Sequence, residues 1–233
     1  MSSPTNALGF PTYVTGAPTS PRAIIVLQEA FGVNDHIRNV ADRFADTEHF
    51  VVAPHLFHRH GTPEIPYDDI EQAMSLMSTI TNEGLTNDLN ATTDFLGTFG
   101  FGPSSIGAVG FCMGGSVAFY LATLGTVGAV ASFYGGGVTK TRLGLPPLLE
   151  LASKLCSPWL GLYGDLDAGI PVEEVEALRA ATASANVTTE IIRYADAGHG
   201  FHCDARPLAY NEAAARDAFQ CTLDFFDEQL SDK

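Results

Sequence analysis

Short apolar runs alternate along this chain with stretches whose apolar residues recur at helical spacing. Ala23-Ile24-Ile25-Val26-Leu27-Gln28 is almost continuously apolar, the mark of a strand buried on both faces. Gly32 and Asn34-Asp35 break the run, and Ile37, Val40, Ala41, Phe44 and Ala45 then mark one face of a helix with Asn34 or Asp35 placed to cap it. Phe50-Val51-Val52-Ala53 reads as a second strand, stopped by Pro54. The histidine- and proline-rich stretch 55–67 reads as an irregular loop. Helices are expected over about 68–80 and 83–98, a strand over 105–111, a helix over 113–124 and a strand over 127–134 that ends in Gly135-Gly136-Gly137. The alternation continues with a strand over 159–163, a helix over 172–184 and a β-rich run over 187–194. A final helix, about 209–230, carries Phe219, Leu223, Phe226 and Leu230 on one face.

Strands and helices alternating in this order predict an α/β fold, a mostly parallel central sheet with helices on both faces. No internal repeat, low-complexity tract or linker divides the chain, so 1–233 reads as one domain. With 233 residues, 45% apolar and 17% charged, it has the material for a sizeable core without covalent staples.

Twelve basic residues stand against 27 acidic ones, a formal net charge of -15. Such a surface repels phosphate backbones and anionic lipid, which argues against nucleic-acid or membrane partners. No apolar run is long enough to span a bilayer, and Met1 to Pro11 lacks the basic and apolar regions of a secretory signal. Cys112, Cys156, Cys203 and Cys221 show no CxxC pairing. Free thiols in a reducing cytoplasm, and a monomer or small homo-oligomer, are the expectation.

The chemistry concentrates in Gly110-Phe111-Cys112-Met113-Gly114. Small residues two before and two after a nucleophile are what a sharp strand-to-helix turn requires, and here an apolar strand precedes the motif and a helix follows. A helix N-terminus also favours a thiolate. A buried structural cysteine is the bland alternative. Downstream lie two histidines. His199, within Ala197-Gly198-His199-Gly200-Phe201, sits on a glycine-flanked loop after a strand, where a base belongs; His202 lies nearer the last helix and fits less well. Asp165 and Asp167, in the loop after strand 159–163, both offer a carboxylate between nucleophile and histidine in chain order. His55, His58, His60 and Glu64 lack a helical register and read as a solvated loop or one wall of an entrance, not as a metal site. Gly135-Gly136-Gly137 lacks the lysine of a phosphate loop and reads as close packing at a strand end.

Four blocks together, Gln28-Glu29-Ala30-Phe31-Gly32-Val33-Asn34, Gly110 to Gly115, Gly164 to Pro171 and Ala197 to Phe201, resemble the dienelactone hydrolase family from about residue 20 to the C-terminus. The resemblance implies the α/β-hydrolase fold, a Cys112–His199–Asp167 triad, and Asp165 as an exposed turn residue. It implies that Glu29 contacts the resting thiol, since a carboxylate beside a thiol favours the protonated, oxidation-resistant form. Backbone amides of Met113 and Ala30 would form the oxyanion hole, and Phe31, Tyr134, Phe201 and Arg206 would line the substrate. No metal or cofactor is implied. The family's two arginines for a substrate carboxylate fall on Ile70 and Cys203, with Arg206 close to the second, so a neutral ester or lactone fits at least as well as an anionic one. The implied reaction is acyl transfer from a small ester or lactone to water through a thioester. An amide or peptide hydrolase with the same triad, or a non-catalytic scaffold that binds a small ligand, are the alternatives.

Overall fold

The computed structural model describes residues 3–5 and 8–233. Met1, Ser2, Asn6 and Ala7, part of the stretch read above for a secretory signal, lie outside the described residues. The strands are β1 (Ser3–Thr5), β2 (Thr12–Thr15), β3 (Arg22–Leu27), β4 (His49–Pro54), β5 (Ile106–Phe111), β6 (Ala129–Phe133), β7 (Trp159–Gly164) and β8 (Thr189–Tyr194). They form one sheet in the order β1-β2-β4-β3-β5-β6-β7-β8. From β3 to β8 all neighbours run parallel, while β2 is antiparallel to both β1 and β4. This is the mostly parallel sheet, covered by helices, that the alternating pattern predicts.

Burial explains the apolar runs. Every residue of β4, β5, β6 and β7 is buried, because helices cover both faces and leave no side for polar residues. The edge strand β8 is only half-buried and carries Thr189, Glu190 and Arg193 accordingly. The helices are α1 (Asp35–Ala45), α2 (Ile70–Met77), α3 (Asn82–Gly97), α4 (Met113–Leu121), α5 (Leu148–Leu151), α6 (Val172–Thr182) and α7 (Glu212–Gln229). Asn34 is the cap of α1, its side chain accepting from the Ile37 N–H at 3.2 Å. Phe44 of α1 packs at a tilt against Phe219 and Phe226 of α7, with 4.7 and 6.4 Å between ring centroids. Thr86 of α3 meets the Tyr120 hydroxyl of α4 at 2.8 Å.

The structure adds three elements to those expected: β1, β2 and the short α5. It also shortens several, two of them for a reason visible in the structure. The last helix begins at Glu212, because Asn211 caps it by accepting from the Ala214 N–H, and β6 ends at Phe133, since Tyr134 already adopts φ 41°. No helix among the described residues is long and apolar enough to cross a membrane.

Candidate active site

The carboxyl ends of parallel strands form the rim where open α/β sheets gather ligands. Cys112 follows β5, Asp167 follows β7, His199 follows β8 and Glu29 follows β3, so four strand ends deliver the candidate residues to one edge.

Cys112 is the residue between β5 and α4, at φ 54° and ψ -112°. Such a conformation is strained for any residue with a side chain, by about 1–3 kcal/mol. It is held by the Cys112 N–H donating to Phe133 O at 3.0 Å and by Gly115 and Ser116 amides donating to Cys112 O at 3.0 and 3.3 Å. The glycines of the motif make the turn possible. A Cβ on Gly110 would lie 1.9 Å from Gly114 O, and one on Gly114 would lie 2.2 Å from Leu27 O. The first turn of α4 thus presses directly on the end of β3. Neither the Met113 nor the Ala30 N–H has a hydrogen-bond partner among the described residues, as an oxyanion hole requires. Cys112 itself is partly exposed.

Asp167 and His199 meet. The imidazole Nδ1 donates to Asp167 Oδ2 at 2.6 Å, and the carboxylate side chain is 3% exposed against 33% for the histidine. Asp167 Oδ1 also accepts from the Gly169 N–H at 2.8 Å. Burial works against the Asp167 charge, but the hydrogen bond and charge of His199 and the Gly169 and Ile170 amides outweigh it and hold the carboxyl below its usual value. Burial likewise opposes an imidazolium at 199. The neighbouring Cys112 sulfur, followed by the hydrogen bond and charge of Asp167, overcomes it and pushes His199 up to about 10. The three groups expected to act together are therefore within electrostatic reach of one another.

His202 is elsewhere. Its ring is buried against Phe111, Phe133 and Phe219, its Nε2 lies 2.9 Å from Arg43 Nη2, and burial followed by the Arg43 charge keeps it neutral.

Several expectations need correction. Glu29 does not hydrogen-bond the Cys112 thiol. It is buried, 1% exposed, with Oε1 accepting from the Tyr134 hydroxyl at 3.2 Å and Oε2 without a partner among the described residues. Asp165 is not an exposed turn residue but half-buried, gripped by Arg193 at 2.7 and 2.8 Å, which fixes the loop that carries Asp167. The loop 55–67 is not simply solvated: 58–60 form a 3-10 turn, His58 stacks on Phe10 at 4.4 Å, and its Nε2 lies 3.1 Å from the buried Asp88, which Arg59 also neutralises. Glu64 pairs with Arg38. Tyr134 and Phe201 expose no surface and pack beneath the imidazole, with 5.1 Å between the Tyr134 and His199 rings and 5.3 Å between Tyr134 and Phe201. Gly135 does serve close packing, against Gly115.

Phe31 and Arg206 remain at the mouth. Phe31 meets Tyr67 edge-on at 4.7 Å, and the Arg206 guanidinium lies 5.7 and 5.6 Å from the two ring centroids, with no acidic partner among the described residues. Ile70, at one family arginine position, is half exposed, whereas Cys203, at the other, is fully buried and donates to Tyr67 Oη at 3.3 Å. Sequence reasoning missed Tyr67, which touches Phe31, Arg206 and Cys203 from an irregular loop that offers no periodic signal.

Comparison with known proteins agrees with this geometry. The model of the "Dienelactone hydrolase family" matches residues 10–230. A Salmonella typhimurium protein named "Putative carboxymethylenebutenolidase" is 36% identical over 231 residues, covering 97% of this chain and 85% of that protein. One of the same name from Yersinia pestis is 36% identical over 206 residues, covering 87% and 76%. Among solved structures, the "Crystal Structure of Putative Dienelactone Hydrolase from Klebsiella pneumoniae subsp. pneumoniae MGH 78578" superposes with a TM-score of 0.89 at 31% identity over 98% of both chains. The rim of strand ends, the strained cysteine and the matched length lead to one conclusion: the chain is a hydrolase that belongs to the dienelactone hydrolase family.

Proposed function

We propose that this enzyme hydrolyses a small ester or lactone through an acyl-cysteine at position 112. The single observation that carries the reading is a strained, partly exposed cysteine beside a histidine whose pKa its sulfur and Asp167 together raise.

The steps follow from that electrostatics. The Cys112 thiolate attacks the carbonyl carbon, and the resulting oxyanion accepts hydrogen bonds from the free Met113 and Ala30 amides. Collapse of the tetrahedral adduct breaks the ester bond, and the His199 imidazolium gives its proton to the departing alkoxide. Thioester formation also removes the sulfur's charge, the chief influence that raised His199. The neutral imidazole is then free to take a proton from water, which attacks the thioester. Release of the acid restores the ion pair. Asp167 keeps Nδ1 protonated throughout, so Nε2 is the nitrogen that works. Glu29, turned toward Tyr134, takes no step in this sequence.

The test is turnover of p-nitrophenyl acetate and a panel of lactones by Cys112→Ala, together with iodoacetamide labelling of the unmodified protein. Loss of turnover, and alkylation of Cys112 ahead of the other thiols, are expected. A Cys112→Ala variant that hydrolyses the panel at an undiminished rate removes the proposal.

A further inference from the structure

Behind the rim lies a second set of ionisable groups that the acyl-transfer steps do not use. One donor atom each from Glu29, His36 and Cys203 lie within 4.8 Å of one another, and all three residues are buried. Two of these side chains hold an unpartnered atom: neither Glu29 Oε2 nor His36 Nε2 has a hydrogen-bond partner among the described residues. A buried carboxylate oxygen and a buried ring nitrogen left without partners each cost free energy. Such atoms side by side call for something that binds both.

We propose that Glu29, His36 and Cys203 form a binding site for a divalent zinc-like cation. The donor set of carboxylate oxygen, imidazole nitrogen and thiolate sulfur is the mixed set that zinc takes, with a fourth tetrahedral position left for water. Zinc ligands at about 2.0–2.3 Å from the metal stand somewhat closer together than 4.8 Å, so side-chain adjustment completes the shell. Charge balances as well: one carboxylate and one thiolate neutralise two positive charges. A thiol coordinates as its thiolate, so binding releases the Cys203 proton to solvent.

The surroundings fit the same reading. His36 Nδ1 lies 3.0 Å from Asp204 Oδ1, a carboxylate–histidine arrangement that fixes the ring and leaves Nε2 as the ligating nitrogen. The Tyr134 hydroxyl holds the other oxygen of Glu29. His36 and Tyr67 also line a surface hollow of about 390 Å³ together with Asn34, Asp35 and Glu64, the two carboxylates being paired with Arg38.

The experiment uses the full chain with Cys112→Ser, Cys156→Ser and Cys221→Ser, so that Cys203 is the only sulfur ligand left. Titration with Co2+ is expected to give a sulfur-to-metal charge-transfer band that saturates at one equivalent, and Zn2+ is expected to abolish the band by displacement. Adding Cys203→Ser is expected to remove the band and weaken Zn2+ binding at least tenfold, as read by competition with a chromophoric chelator. Absence of the band from the triple variant overturns the site, whether or not the enzyme is active. So does a band in the unmodified protein that disappears with Cys112→Ser alone, because the metal then sits on the triad.

Discussion

Asp167 Oδ2 and His199 Nδ1 stand 2.6 Å apart, joining the loop after β7 to the loop after β8. The carboxylate is buried and the imidazole is partly open to solvent. The bond therefore orients an imidazole that solvent reaches by means of a carboxylate that it does not. Asp167→Asn preserves the shape but offers an amide where Nδ1–H needs an acceptor, which favours the wrong tautomer. We expect kcat to fall by about 10⁴-fold with the melting temperature little changed, measured by steady-state hydrolysis and thermal unfolding. A decrease of less than tenfold means that the pair does not orient the base.

The charge of His199 gives a pH signature. Its value is raised from 6.5 to about 10, so the imidazolium that the proposed mechanism uses to protonate the leaving group would persist through neutral pH. Acylation, followed as the pre-steady-state burst, is expected to hold from neutral to alkaline pH and to decline only near pH 10. A descending limb centred near 6.5 contradicts the ion pair. Linkage gives the matching stability effect: a raised basic group contributes stability that is complete below 6.5 and disappears as pH rises through about 10. Asp167 has the opposite sign. Its depressed carboxyl stabilises the fold above the ordinary carboxylate value and ceases to do so as pH falls through the lowered one.

Strain at the nucleophile predicts a trade between stability and activity. Glycine tolerates φ 54° and ψ -112° better than cysteine does. Cys112→Gly is therefore expected to be inactive yet more stable by about 1 kcal/mol, the relieved strain exceeding the entropy cost of glycine. At this chain length that is a rise of about 2–4 °C in Tm. Gly110→Ala is expected to do the reverse, because its Cβ would meet backbone at 1.9 Å, and overpacking of this kind costs about 1–3 kcal/mol or more. A lower Tm for Cys112→Gly would show that the turn is unstrained.

Much of this arrangement is legible along the chain. The buried strands β3 to β7 appear as apolar runs because both of their faces are covered. The strand-turn-helix at Cys112 is readable because backbone contact at Gly110 and Gly114 excludes larger residues. What escapes is whatever depends on a distant partner. Glu29 turns to Tyr134, 105 positions away, and no local pattern records that choice. Asp165 looks like an ordinary turn residue until β8 brings Arg193 to it. The strands β1 and β2 are short and owe their place to antiparallel pairing beside β4, so their own residues carry little periodic signal.

Arg206 is the residue expected to discriminate substrates by charge. Its guanidinium rests near the Phe31 and Tyr67 rings, and one of its nitrogens lies close to Gly200, beside the base. An arginine so placed favours a carboxylate on the substrate. Arg206→Ala is expected to lower kcat/KM for carboxylate-bearing lactones about tenfold or more while changing neutral ones much less. An equal change for both classes assigns Arg206 a packing role only.

The account depends above all on an acyl group carried by one sulfur. Mixing the enzyme with p-nitrophenyl acetate, quenching in acid within one turnover and mapping the peptides by mass spectrometry reads that intermediate directly. An acetyl group on the Cys112 peptide, absent from Cys112→Ala, is the predicted result. Rapid hydrolysis with the acetyl group on any other residue, or with none trapped and Cys112→Ala fully active, contradicts it.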